Sequence, residues 1–316
     1  MPNSKFQPLF SNPLFLSFLA CILAPMAVLG TNSNHFTEYI GAKFNNVKFS
    51  DVPINSGVEF HYILSFAIDY SDATTPPAST NGNFGAFWDT ENLSPDAVSA
   101  IKEKHSNVKV AVSLGGGTIG ADDKVYFKAT SVDSWVSNAV SSLTSIIKEY
   151  NLDGIDIDYE NFSDDENDIE KFTECIGRLI TILKRDGVIS FASIAPFDDS
   201  DAPVRQKMYK VLWSKYSSVI DYVNYQFYGY GEDTTVEQYI KYYDEQVANY
   251  PEGRVLASFM TENTNEERVI SADRGFSACQ ELKKENKLYG IFIWSADDSL
   301  SQGFTYEKKS QALLTS

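Results

Sequence analysis

Cysteine, histidine and positive charge are scarce in this chain. Three cysteines in 316 residues, one of them within the first 30, exclude a disulfide-built scaffold. Lysine and arginine number 26 against 43 aspartates and glutamates, for a net charge of −17. A molecule this acidic repels phosphate backbones and anionic lipid, so neither nucleic acid nor a membrane surface is expected as a partner. The three histidines, His35, His61 and His105, are scattered and show no metal-ligand spacing, so no metal or cofactor is expected. No G-x-G-x-x-G turn follows the first strand candidate, where Gly41-Ala42-Lys43 stands instead, and this argues against a dinucleotide fold. Linkers, internal repeats and low-complexity tracts are missing after residue 31. With 43% hydrophobic residues there is material for one large core.

One long apolar run exists, and it lies at the start. Lys5 precedes Leu14 to Leu29, which ends in small residues with Val28 and Gly30 at the −3 and −1 positions of a cut. About 16 residues interrupted by Pro25 are too few to span a bilayer, which needs roughly 20. Residues 1–30 therefore read as a secretory signal peptide. A mature, secreted domain over 31–316 is expected, extracellular or vacuolar, with no membrane attachment once the signal is removed, acting as a monomer. It keeps Cys175 and Cys279, both on helix-period segments that are not neighbours, so a bridge between them is not expected.

Short apolar runs then alternate with helical periodicity. The strand candidates are Phe36–Gly41, Phe60–Ile68, Val108–Leu114, Ile155–Tyr159, Ile189–Ala195, Tyr222–Phe227, Val255–Phe259 and Gly290–Trp294. Ser94-Pro95 supplies the N-cap and N1 residues of one helix. Trp135 to Tyr150 and Ile169 to Leu183 follow a 3.6-residue period, with Asp164, Asp165 and Glu166 at the positive end of the latter. Val236–Val247 and Phe276–Lys287 are later helices. Strand–helix alternation implies parallel strands with right-handed crossovers. Eight such units predict an α/β fold, a single-domain (β/α)8 TIM barrel, with an open doubly wound sheet as the alternative.

The segment LDGIDIDYE concentrates the chemistry. Alternate side chains of a strand share a face, so Asp156, Asp158 and Glu160 point one way and Ile155, Ile157 and Tyr159 the other. Successive same-face positions rise about 6.6–6.8 Å. Like charges at that spacing in a low dielectric resist ionising together, so at least one carboxyl should keep a proton near neutral pH. A retained proton at the C-terminal end of a barrel strand suits a general acid. Three carboxylates could also hold a hard cation, but no second acidic cluster faces them. Tyr222, Asn224, Gln226 and Tyr228 share another, polar face.

D-G-I-D-I-D-Y-E over Asp153–Glu160 resembles the D-x-x-D-x-D-x-E signature of glycoside hydrolase family 18, the chitinases. Ser113-Leu114-Gly115-Gly116 resembles that family's S-x-G-G motif on the third strand. Tyr39 with Gly41, Gln226-Phe227-Tyr228 and Trp294 fit the plant class III and bulb-type enzymes, although those class III enzymes carry several disulfides and this chain does not. The resemblance spans about residues 36 to 314. It implies an endo-chitinase acting on chitin or chito-oligosaccharides by substrate-assisted retention. It assigns Glu160 as acid, Asp158 as partner of the substrate acetamide, Asp156 as proton-sharing neighbour and Tyr228 as a donor to the acetamido oxygen. Tyr39, Gln226 and Trp294 would bind sugar, with Trp294 as the apolar floor. Asp153, Ser113, Gly115 and Gly116 would be structural, Asp153 by bonding backbone near the glycines. The disulfide-poor branch also contains catalytically silent lectin-like and seed storage relatives, which is the alternative reading. Asn92 and Asn161 begin sequons, and a glycan on Asn161, beside the proposed acid, is not expected.

Overall fold

The computed structural model describes residues 31–71, 76–119, 123–163, 167–198, 204–262 and 269–316. Residues 1–30, expected to be a signal peptide, and the acidic run 164–166 lie outside the described residues.

Among the described residues eight parallel strands close a barrel: β1 (His35–Ile40), β2 (Glu59–Ile68), β3 (Val108–Gly116), β4 (Gly154–Tyr159), β5 (Phe191–Ile194), β6 (Tyr222–Asn224), β7 (Val255–Met260) and β8 (Gly290–Trp294). Each pairs with the next, and β1 pairs with both β2 and β8, which closes the ring and leaves no open edge between barrel strands. Helices α1 (Pro95–Lys104), α2 (Val132–Glu149), α3 (Asn167–Arg185), α4 (Val204–Tyr216), α5 (Val236–Asn249) and α6 (Ala272–Lys284) follow β2 to β7 in turn. The short α7 (Ala296–Ser299) and α8 (Thr305–Thr315) follow β8.

Local chemistry starts these helices. Ser94 accepts the Ala97 N–H at the head of α1, and Ser131 accepts that of Ser134 at α2. Thr235 and Gln238 form a reciprocal capping box on α5.

The unit expected after β1 is different. No helix is described between β1 and β2, and α8 covers that side instead. Gln311 of α8 donates to the Pro53 carbonyl at 2.7 Å and accepts the Asn55 N–H at 2.7 Å. The cysteine-bearing helices are thus α3 and α6, one place earlier than a full eight-helix count gives, and both thiols are buried and free. β6 is also shorter than its apolar run. It stops at Asn224, and Phe227–Tyr230 coil into a 3-10 turn.

Two apolar layers hold the barrel. Outward-facing Ile155, Ile157 and Tyr159 of β4 are fully buried against the helices. Each such aliphatic side chain contributes about 1.5–3 kcal/mol, which offsets the cost of turning carboxylates inward on the same strand. Inside, Tyr39, Ile63, Ala111, Phe191, Tyr222, Leu256 and Phe292 fill the barrel.

Candidate active site

β4 is pinned from outside before it presents anything inside. Tyr209 of α4 donates to the carbonyls of Ile157 and Tyr159 at 3.2 and 3.0 Å. The Tyr159 hydroxyl donates to Asp69 at 2.7 Å, and Asp69 also takes the Trp135 indole N–H at 3.1 Å. Burial raises Asp69 to about 6. These bonds fix the strand end from which Glu160 projects.

On the inner face Asp156 is fully buried and saturated with donors. It accepts from Ser113 Oγ at 2.7 Å, Ser193 Oγ at 2.6 Å, Tyr39 Oη at 3.0 Å and Asn224 Nδ2 at 3.3 Å. Burial raises its pKa and these four donors pull it back. Strand register explains the convergence: Ser113 and Ser193 both lie directly beside Asp156 on the neighbouring strands.

Asp158, one layer up, accepts among the described residues a single side-chain bond, from Gln226 Nε2 at 2.9 Å. Burial, then the charges of Glu160 and Asp156, push its pKa well above the usual carboxylate range. Glu160 lies partly exposed at the rim. Its pKa is raised to about 7 by burial and tempered by the Arg205 guanidinium. The expectation that this file retains protons near neutrality therefore has a physical cause in both desolvation and like charge.

Gln226 links the file to Tyr228. Its amide nitrogen donates to Asp158 and to the Ala195 carbonyl, and its oxygen accepts the Tyr228 hydroxyl at 3.1 Å. Tyr228 sits on the 3-10 turn, which carries it over the barrel mouth beside Phe292. Trp294 closes β8 with its ring 5.6 Å from Tyr39 and stacked 5.8 Å from Phe66. Together these rings make an aromatic floor next to the carboxylates.

The glycines keep that mouth clear. Gly115 (φ +106°) and Gly116 (φ +77°) adopt conformations L residues rarely take, and a Cβ on them would meet the Tyr159 and Phe66 rings at about 3 Å. A Cβ on Gly117 would meet Glu160 Oε2 at 2.8 Å.

Asp153 stands apart from this group. It precedes β4, at the opposite end of the barrel, where it accepts the Val110 N–H at 2.9 Å and pairs with Lys102 at 2.9 Å. Its bond to backbone is therefore at the entry of β3, not near the glycines at its exit. Asn161 is buried, and its amide donates to the carbonyls of Gly117 and Val125 at 2.7 and 3.2 Å. The sequon nitrogen is thus committed to holding the β3 loop.

Ser193, Arg205 and Phe66 escaped sequence reasoning. Ser193 carried a usable signal, since it is the polar position facing β4 in an apolar strand. Phe66 and Arg205 carried none, because Phe66 on β2 and Arg205 on α4 reach the site only through the packing of elements distant in sequence. The histidines also do not stay scattered. His35 and His61 meet at the base of the barrel with ring centroids 4.4 Å apart, because β1 and β2 run parallel in register.

Residues 60–252 match the sequence profile of glycosyl hydrolases family 18. The chain is 55% identical over 306 residues to Chitinase 1 of Tulipa saxatilis subsp. bakeri, covering 96% of this chain and 93% of the tulip protein. The catalytic domain of a family 18 chitinase from the fern Peteris ryukyuensis superposes with a TM-score of 0.82 at 54% identity, over 89% of this chain and 100% of the fern chain. A family 18 chitinase of Crocus vernus gives a TM-score of 0.82 at 50% identity with the same coverage.

Proposed function

The chain belongs to glycosyl hydrolase family 18, and from that premise we propose that it is a secreted endo-chitinase that cleaves β-1,4-linked N-acetylglucosamine with retention of configuration. The observation that carries the mechanism is the graded carboxylate file. Asp156 is saturated with donors, Asp158 is held by one amide, and Glu160 is poised near pH 7 at the rim.

On this reading Glu160 gives its proton to the glycosidic oxygen as the bond to the anomeric carbon breaks. The acetamido oxygen of the same sugar attacks that carbon from the opposite face, forming an oxazolinium ring, so no enzyme carboxylate serves as nucleophile. Asp158 accepts the acetamide N–H and stabilises the positive charge that develops. The Tyr228 hydroxyl leaves Gln226 for the acetamido oxygen. Asp156 shares a proton with Asp158 and sets its charge. Glu160, now ionised, takes a proton from water as that water opens the ring, and two inversions return the β anomer. Trp294 supplies the apolar surface on which sugar C–H faces stack.

All three carboxyls are present, which favours turnover over a silent, lectin-like role. Residues 1–30 act as the export signal. N-terminal sequencing of the product from a secreting host is expected to begin near Thr31, and a retained leader counts against export. The mechanism is tested by proton NMR of fresh product, which should show the β anomer before mutarotation. Fully deacetylated chitosan should be inert, because an amine cannot form the oxazolinium ring. An initial α product, or equal rates on chitosan and chitin oligomers, overturns it.

A further inference from the structure

A second constellation lies at the far end of the barrel from the carboxylate file. His35 opens β1, Glu59 opens β2, and His61 follows two residues later on the same inward face. In the parallel register His35 stands directly beside Glu59. His35 Nδ1 lies 3.5 Å from Glu59 Oε2, and His61 Nε2 lies 3.2 Å from Glu59 Oε1. One ligand atom from each of the three residues falls within 4.8 Å of the others.

We propose that His35, Glu59 and His61 form a binding site for a divalent transition metal of the Zn2+ class at the base of the barrel, independent of the glycosidase site. Three features support this. The donor set, two imidazoles and a carboxylate, is one that Zn2+ takes with a further position left for water. Ligands about 2.0–2.1 Å from a tetrahedral ion stand roughly 3.3 Å apart, so a set that already lies within 4.8 Å has to contract by at most about 1.5 Å to meet on one ion. Each imidazole is also oriented through its other nitrogen, His61 Nδ1 by the Tyr222 hydroxyl at 2.9 Å and His35 Nε2 by Thr37 Oγ1 at 3.1 Å. Such outer partners hold the ring orientation, and as hydroxyls they can accept the N–H of a metal-bound imidazole. An entry path exists as well, because the imidazoles are buried while the Glu59 side chain is 45% exposed. Lys109 Nζ is 3.3 Å from Glu59 Oε1 and competes for the carboxylate, but its side chain is 43% exposed and can swing away.

The test uses the mature chain with any affinity tag removed, stripped by chelator, and carrying His105→Gln so that two histidines remain. Calorimetric titration with ZnCl2 should give one site per chain. Glu59→Gln should weaken that site at least about tenfold, with chito-oligosaccharide turnover retained as evidence of folding. Co2+ should produce paramagnetically shifted resonances from two imidazoles, which decides the question even where Glu59→Gln fails to fold. The absence of a 1:1 isotherm, shifted signals from fewer than two imidazoles, or equal affinity in Glu59→Gln overturns the site and leaves Lys109 as the cation of this cluster. None of these results bears on the carboxylate file, so the glycosidase reading stands or falls separately.

Discussion

Glu160 has to be protonated to act and close to charged neighbours to be useful. Burial raises its pKa to about 7, so it is largely protonated below that value. As pH rises through about 7 the proton is lost, and kcat/KM should fall along an alkaline limb centred there. A pH–rate profile of the wild type checks this. Glu160→Gln should cost at least about 10²-fold in kcat while chito-oligosaccharide still binds, because the amide keeps the shape. Turnover near wild type would remove the acid assignment. Gly117 offers a subtler probe. Its missing Cβ is what lets Glu160 Oε2 lie 2.8 Å from that point. Gly117→Ala should push the carboxyl aside and lower kcat about tenfold or more, since displacements on the order of 1 Å are enough to do so. Thermal stability should change little, because the flexible end of Glu160 gives way. An unchanged kcat would show that the carboxyl has a second productive position.

Among the elements, β1 and α8 meet over an unusual cost. Glu38 faces outward from β1, fully buried, and among the described residues neither of its carboxylate oxygens has a hydrogen-bond partner. Burial, with the charges of Glu307 on α8 and Asp297 added, raises its pKa well above 4.5. Between its unfolded and folded pKa values the native state therefore binds a proton that the unfolded chain has released. The contribution to stability is complete below about pH 4.5 and is lost as pH rises toward the folded value. Glu38→Gln removes the titration and keeps the volume. Its melting temperature should decline less steeply from pH 5 to 8 than that of the wild type, as calorimetry at several pH values would show. Parallel declines would place the cost elsewhere. The cysteines are also set by element placement. Cys175 on α3 and Cys279 on α6 are buried, and burial raises both thiols, Cys175 to about 12. Neither should react with a thiol reagent until the protein unfolds, and reducing agent should leave the melting temperature unchanged. Rapid labelling of the native protein would contradict that packing.

For the whole molecule, the question is what walls the cleft. The chain between Met260 and Ala272 is only eleven residues, 261 to 271. That is too short for an inserted domain between β7 and α6. An open groove allows internal cuts, so the viscosity of a soluble chitin derivative should fall before much reducing sugar is released. Steady release of dimer with viscosity unchanged would indicate attack from chain ends.

The sequence by itself determined the periodic part of this protein. Alternation along LDGIDIDYE requires Asp156, Asp158 and Glu160 on one face in any strand, whatever surrounds it. Strand–helix repetition demanded parallel pairing, and eight strands of similar length could close. What only the tertiary structure decided depends on the packing of distant segments. The β1–β2 crossover goes without a described helix because α8, some 250 residues later, covers that side and bonds Pro53 and Asn55. The shortening of β6 places Tyr228 on a turn instead of a strand. Arg205 acts on the acid from α4, a helix some 45 residues further along the chain. His35 and His61, 26 residues apart and unremarkable in the chain, face one carboxylate because parallel register sets two strand entries side by side. Local periodicity is carried by neighbouring residues and can be read from them. Proximity between remote segments is decided by closure of the barrel.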